Sequence, residues 1–143
     1  MKEGLKLFEN VVVGAVDSEA ATHAVQQAIE VTKASGGTLH IVTAFKANRP
    51  RPPNVPEEFR YSFASIDPID LLLNQLKATA NEVSVRVTTN PVLSDPVDAI
   101  IKVAELENAD LIVVGIKRSH GARHMSHVTK IVMDKASCAV LVV

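Results

Sequence analysis

Ala109-Asp-Leu-Ile-Val-Val-Gly115 is a run of branched aliphatic residues with a polar entry and a glycine exit. A strand of a parallel sheet has this character, because helices cover both faces and no wet face is left to mark by alternation. Val11-Val-Val-Gly-Ala-Val16 and Ala139-Val-Leu-Val-Val143 share it, and Thr38-Leu-His-Ile-Val-Thr-Ala-Phe45 adds a further strand. Val83-Ser-Val-Arg-Val87 alternates instead, which predicts a strand with one wetter face.

Helical patterns separate these strands. Asp17 or Ser18 suits a cap, Ala21, Val25, Ala28, Ile29 and Thr32 recur at helical spacing, and Gly36-Gly37 stops the helix. Ile69, Leu72, Leu73, Leu76 and Ala80 make a second stripe. Asp95, Pro96 and Asp98 mark the cap, first position and first turn of a helix that runs to about Asn108. A last helix is expected within 124–136. Alternation of strand and helix implies one α/β domain over residues 1–143, with an open five-stranded parallel sheet and right-handed crossovers that put helices on both faces. Residues 46–68 interrupt the pattern with Pro50, Pro52, Pro53 and Pro56 among Arg49, Arg51 and Arg60, and read as a surface excursion.

Composition excludes several classes. The net charge of -1 argues against a general nucleic-acid binder. The single cysteine, Cys138, excludes an intramolecular disulfide framework and reads as a buried small apolar residue. Aromatics are 3% of the residues, so Val, Ile, Leu and Ala must fill the core. No apolar run is long enough to span a membrane, and the charged first residues lack a signal-peptide pattern, so the expected location is the cytoplasm.

Four stretches together resemble the universal stress protein family: Val11 to Ala21, Gly37 to Ala44, Asp95 to Gly115 and Ser126 to Val143. Val-Asp-Ser-Glu-Ala after the first strand and Asn-Ala-Asp-Leu-Ile-Val-Val-Gly before the loop carry most of it. The resemblance implies a flavodoxin-like sheet of order 3-2-1-4-5, a homodimer, a role in stress or growth arrest and, in one branch, ATP binding. That branch uses a Gly, two residues, a Gly, nine residues, then Gly-Ser or Gly-Thr. Here Gly115 matches the first position and Arg118 stands at the second. Counting back from Ser137-Cys138-Ala139 puts Ser126-His127 at the Gly-Ser position, with a shortened interval; keeping the interval puts Val128-Thr129 there. Val16 stands where the adenosine-contacting Asp belongs, with Asp17 beside it and Ala15 before it, and Ala44 matches a position that lines the adenine pocket.

The segment has chemistry of its own. Lys117, Arg118, Arg123 and Lys130 lie together without an acid, among His120, His124 and His127. They follow the carboxyl end of a strand and precede a helix N-terminus, where open α/β sheets bind ligands. Basic groups and helix amides there suit ATP, AMP or phosphate; the opposing reading is a solvated basic loop left from an ATP site. His120 and His124 have helical i,i+4 spacing for a metal, but the surrounding positive charge opposes a cation.

Other side chains are assigned to structure. His23 is expected on the surface and His40 on a partly exposed face. Thr43 is read as strand packing, Asp110 as part of the loop entering the fourth strand, and Met125 and Met133 as core fillers. No catalytic residue and no metal ligand is assigned, and the P-loop pattern is absent.

The leading expectation is a non-enzymatic stress protein without the usual ATP site. It would dimerise through its last strand and act through unidentified protein partners, apart from nucleic acid and membrane. The alternative is a nucleotide or phosphate sensor, with slow ATP hydrolysis, that uses the basic loop over residues 115–130. A third hypothesis is an enzyme of a related nucleotide-binding α/β class. Candidate ligand contacts are Ala15, Asp17, Ala44, Gly115, Lys117, Arg118, Ser126 and His127.

Overall fold

The computed structural model describes residues 7–14, 18–45, 68–119, 122–124 and 127–143. Its elements in chain order are β1 (Asn10–Gly14), α1 (Ser18–Ser35), β2 (Thr38–Phe45), α2 (Pro68–Glu82), β3 (Arg86–Leu93), α3 (Pro96–Leu106), β4 (Leu111–Val114), β5 (Lys117–Ser119), β6 (Ala122–His124), α4 (His127–Lys135) and β7 (Ala139–Val142). Five parallel strands form one sheet in the order β3-β2-β1-β4-β7, which is the expected 3-2-1-4-5 order of a flavodoxin-like fold. The Asp17 cap and the proline-rich excursion to residue 67 lie outside the described residues.

β1 is the centre of the sheet. Val11, Val12 and Val13 pair with Leu39, His40 and Ile41 on one side and with Leu111, Ile112 and Val113 on the other. Strand residues alternate between faces. Val11 and Val13 join Ala24, Val25, Ala28 and Ile29 of α1 and Ala80 of α2 in one core. Val12, Val42, Ile112 and Val114 join Ile100 and Val103 of α3 and Val132 of α4 in the other. Val25, Ala28, Ile29 and Thr32 of the stripe read in α1 are buried, with Ala24 beside them, while Met133 is exposed rather than a core filler. Met125 is outside the described residues. Cys138 is half-buried at the edge of the second core, and burial pushes its thiol above the ordinary range.

Three helices end on a residue in the left-handed region: Gly36 (φ 72), Ser84 (φ 63) and Asn108 (φ 52). After α2 the amides of Val83 and Val85 return to the Ala80 carbonyl at 3.2 and 3.0 Å, and that of Ser84 to Asn81 at 3.0 Å. Val83 to Val85 therefore finish a helix instead of starting a strand. The strand expected at 83–87 is displaced to Arg86–Leu93. It contains Pro91, which lacks an amide and is tolerated because β3 is an edge strand. Asp95 caps α3 as expected: its carboxylate accepts the Asp98 amide at 3.1 Å, which holds its pKa below the usual carboxylate range. The helix stops at Leu106, with Glu107 as its cap.

Two polar groups make contacts that their sequence positions do not announce. Asp110 does lie in the loop before β4, but its carboxylate also accepts the amides of Glu9 at 2.8 Å and Asn10 at 3.1 Å, which ties down the start of β1. His40 is buried at 4% exposure, not partly exposed. Its Nε2 meets Asn10 Oδ1 at 3.1 Å and its Nδ1 meets Thr88 Oγ1 at 2.8 Å. A residue of β2, the strand between β1 and β3, has neighbours on both sides, and α3 covers this face. Thr43 is buried strand packing, and His23 is exposed.

The entry to β2 passes directly over the chain leading into β1. The Thr38 amide donates to the Glu9 carbonyl at 2.8 Å, and a Cβ at Gly37 would lie 2.3 Å from the Phe8 carbonyl oxygen. Gly37→Ala must push two backbones apart, and overpacking of that kind costs about 1–3 kcal/mol. Urea unfolding should show that loss, and an unchanged midpoint would contradict the close approach.

Candidate functional site

The chain leaves β1 toward α1 on one face of the sheet and leaves β4 toward α4 on the other. β1 and β4 are neighbours, with Val13 opposite Val113, so the two exits diverge at their carboxyl ends. Divergence of that kind opens the crevice in which open α/β sheets hold ligands. Gly14 ends β1, Ala44 lies near the end of β2 and is partly buried, and Gly115 follows β4. The candidates Ala15, Asp17 and Ser126 lie outside the described residues.

The exit of β4 is held by three contacts. The Ile116 amide donates to the Val143 carbonyl at 2.7 Å, and the Val143 amide donates to Val114 at 3.0 Å. Thr129, buried in the first turn of α4, donates its hydroxyl to the Gly115 carbonyl at 3.2 Å. Gly115 is thereby fixed relative to the α4 N-terminus. His127, at the start of α4, is exposed.

Between Gly115 and α4 the chain is not an open loop. β5 and β6 pair antiparallel, with Lys117 opposite His124, Arg118 opposite Arg123 and Ser119 opposite Ala122. The ribbon sets Lys117 and Arg118 into a strand one residue beyond Gly115. It also makes Arg118 and Arg123 register partners. Backbone groups that pair across a ribbon are not free to wrap a polyphosphate in the way a glycine loop does. His124 lies in a strand, so the helical spacing considered for a metal does not apply to it, and His120 is outside the described residues. Among the described residues no group of three or more His, Cys, Asp or Glu is placed to hold a metal.

A groove of about 630 Å³ lies at the other end of the sheet, lined by Glu9, Asn10, Lys33, Gly37, Ser84 and Arg86 among others. It opens at the amino ends of the strands and beside the C-terminus of α1. Helix carbonyls there oppose an anion and Lys33 and Arg86 oppose a cation, so the groove has no consistent ligand preference.

The family model for the Universal stress protein family matches residues 7–143. A universal stress protein of Mycobacterium tuberculosis is 29% identical over 114 residues, covering 78% of this chain and 77% of that protein. A crystal structure of a universal stress protein in complex with cAMP aligns with a TM-score of 0.70 at 26% identity, over 95% of this chain and 96% of that one. The universal stress protein UspA of Lactobacillus plantarum aligns with a TM-score of 0.68 at 20% identity, over 94% and 97%, and shares the fold. No helix among the described residues is long and apolar enough to cross a membrane.

Thr129→Val keeps the side-chain shape but removes the hydroxyl that meets Gly115. The loss of a partly buried hydrogen bond should cost about 1 kcal/mol. Urea unfolding measures it, and stability equal to wild type would show that the contact does not hold the β4 exit.

Proposed function

Because the chain belongs to the universal stress protein family, we propose that it is a non-enzymatic stress-response protein that binds an adenine nucleotide with a single phosphate, AMP or cAMP, at the carboxyl ends of β1, β2 and β4. The observation that carries this reading is the β5–β6 ribbon, which stands where a phosphate-wrapping loop would need free amides. Lys117, Arg118 and Arg123 then neutralise one phosphate, and the shared rung of Arg118 and Arg123 favours an anion between them. Gly115 permits close approach of the ligand, and Ser126 and His127 bring the α4 N-terminus to the phosphate. Ala15, Asp17 and Ala44 line the base and ribose. The relative solved with cAMP supports the ligand class. The missing P-loop pattern supports binding without phosphoryl transfer.

Calorimetry with cAMP, AMP and Mg-ATP separates this reading from its competitors. We expect cAMP or AMP to bind in the micromolar range, and Mg-ATP to bind more weakly than ~0.1 mM, about 5.5 kcal/mol. Arg118→Ala should weaken the monophosphate at least tenfold. Micromolar Mg-ATP binding, or monophosphate binding indifferent to Arg118→Ala, overturns the reading. Heat from inorganic phosphate alone, with none from nucleotides, favours a simple anion sensor.

The same proposal includes a homodimer through β7. That strand ends the sheet, and Ala139, Val140, Leu141 and Val142 offer no charge or proline to block pairing with another edge. Antiparallel self-pairing closes a twofold dimer. Light scattering at tens of micromolar should give twice the 15.4 kDa chain mass. Val140→Pro, which removes an amide on the outward edge because those of Leu141 and Val143 face β4, should give monomer with an unchanged circular dichroism spectrum. A wild-type monomer under these conditions ends the dimer proposal.

A further inference from the structure

His40 sits in an otherwise aliphatic layer beneath α3, at the centre of a directed chain of hydrogen bonds. Asn90 Nδ2 donates to Thr88 Oγ1 at 2.9 Å. The Thr88 oxygen is 2.8 Å from His40 Nδ1, and His40 Nε2 is 3.1 Å from Asn10 Oδ1. An amide nitrogen only donates and an amide oxygen only accepts, so the two ends fix the direction of the middle. Nε2 must carry hydrogen, and Nδ1 must accept the Thr88 hydroxyl. The neutral Nε2–H tautomer satisfies each bond in the chain. A second proton on Nδ1 would face a hydroxyl proton, and Thr88 would have to turn its hydrogen away from the ring while still accepting from Asn90.

The chain also crosses three strands. Asn10 belongs to β1, His40 to β2 and Thr88 and Asn90 to β3. His40 and Thr88 are register partners. Asn10 is held in addition by Asp110, which accepts its amide at 3.1 Å. Neutral Asn10 and Thr88 flank the ring from β1 and β3. From α3, the charged group that acts on it is Glu107 at the helix C-cap. Its carboxylate favours the imidazolium, as does the C-terminal end of a helix. Burial opposes them and is the stronger effect: His40 is held below its ordinary value of 6.5.

We propose that the Asn10–His40–Thr88–Asn90 chain is an acid-sensitive latch whose protonation loosens β3, with the end of α3 above it, from the rest of the sheet. A base with a lowered pKa in the folded state binds its proton more readily when unfolded. Its contribution is therefore complete above pH 6.5 and is lost as pH falls from 6.5 toward the lower folded value. Asp95 also loses stability on acidification, but only at or below its ordinary value of 3.8, and Asp98, raised by its neighbour Asp95, acts in the opposite sense. Neither accounts for a change in the histidine range.

The test is urea unfolding of the wild-type protein and of His40→Gln between pH 7.5 and pH 5. One proton taken up on unfolding limits the change in the folding constant to about tenfold per pH unit. We expect wild type to lose stability toward that limit below pH 6.5 and His40→Gln to show a much flatter profile. Equal slopes in the two proteins overturn the latch. If His40→Gln does not fold, ring NMR signals of wild type decide. His40 should titrate below the ordinary histidine value of 6.5, and amide-exchange protection at Thr88 to Asn90 should fall before protection in β1 and β4. A His40 that titrates at or above 6.5, or protection that falls uniformly, overturns the proposal.

Discussion

β1 must be satisfied on four sides at once, and the rest of the molecule follows from that demand. Val11, Val12 and Val13 have 0% exposure. Their backbone groups have no access to water, so both edges of the strand must be paired. β2 and β4 do this. Their side chains point alternately to two faces, so both faces need helices. One strand buried in this way calls for two parallel neighbours and two layers of helix, each with its own aliphatic core.

The turns from helix to strand are short and still reverse the chain. Gly36, Ser84 and Asn108 do so by taking the left-handed conformation at the ends of α1, α2 and α3. Carbonyls that a helix end would leave unpaired are satisfied there. The amides of Gly36 and Gly37 both reach Thr32, and those of Ala109 and Val85 reach Ala104 and Ala80. Each such turn delivers the chain to the amino end of the next strand. Asp110 completes the arrangement by accepting two amides at the start of β1.

What could be read from the sequence follows from these physical choices. β2 runs over Thr38–Phe45 as its pattern indicates, because Gly36-Gly37 is an unambiguous stop and Leu39, Ile41, Val42 and Ala44 run through the strand. β3 starts later than its alternation suggests, since Ser84 takes a backbone conformation that its residue type does not announce. The β5–β6 ribbon was hidden for a different reason. Its strands are three residues each, and Lys, Arg, Ser and His carry no hydrophobic alternation. His40 misleads because a polar residue in a strand is ordinarily assigned to the wetter face; its partners lie 30 and 48 positions away. In the candidate site, Gly115 was legible from its place after an aliphatic strand. The contact of Thr129 with Gly115 was not, because it depends on where α4 begins.

The two ends of the sheet are consequently different in kind. At the amino ends, Asp110, Gly37, Ser84 and the His40 chain are engaged with the backbone or with one another, and substitution there acts on folding. At the carboxyl ends, β1 and β4 part company and the basic ribbon stands beside the crevice. Around Gly115 that edge is held by Thr129 and Val143. The ligand and the His40 proton that we propose would therefore act at opposite ends of the sheet. β2 joins them directly, since His40 and Ala44 lie on the same face of one strand, four residues apart by their numbers.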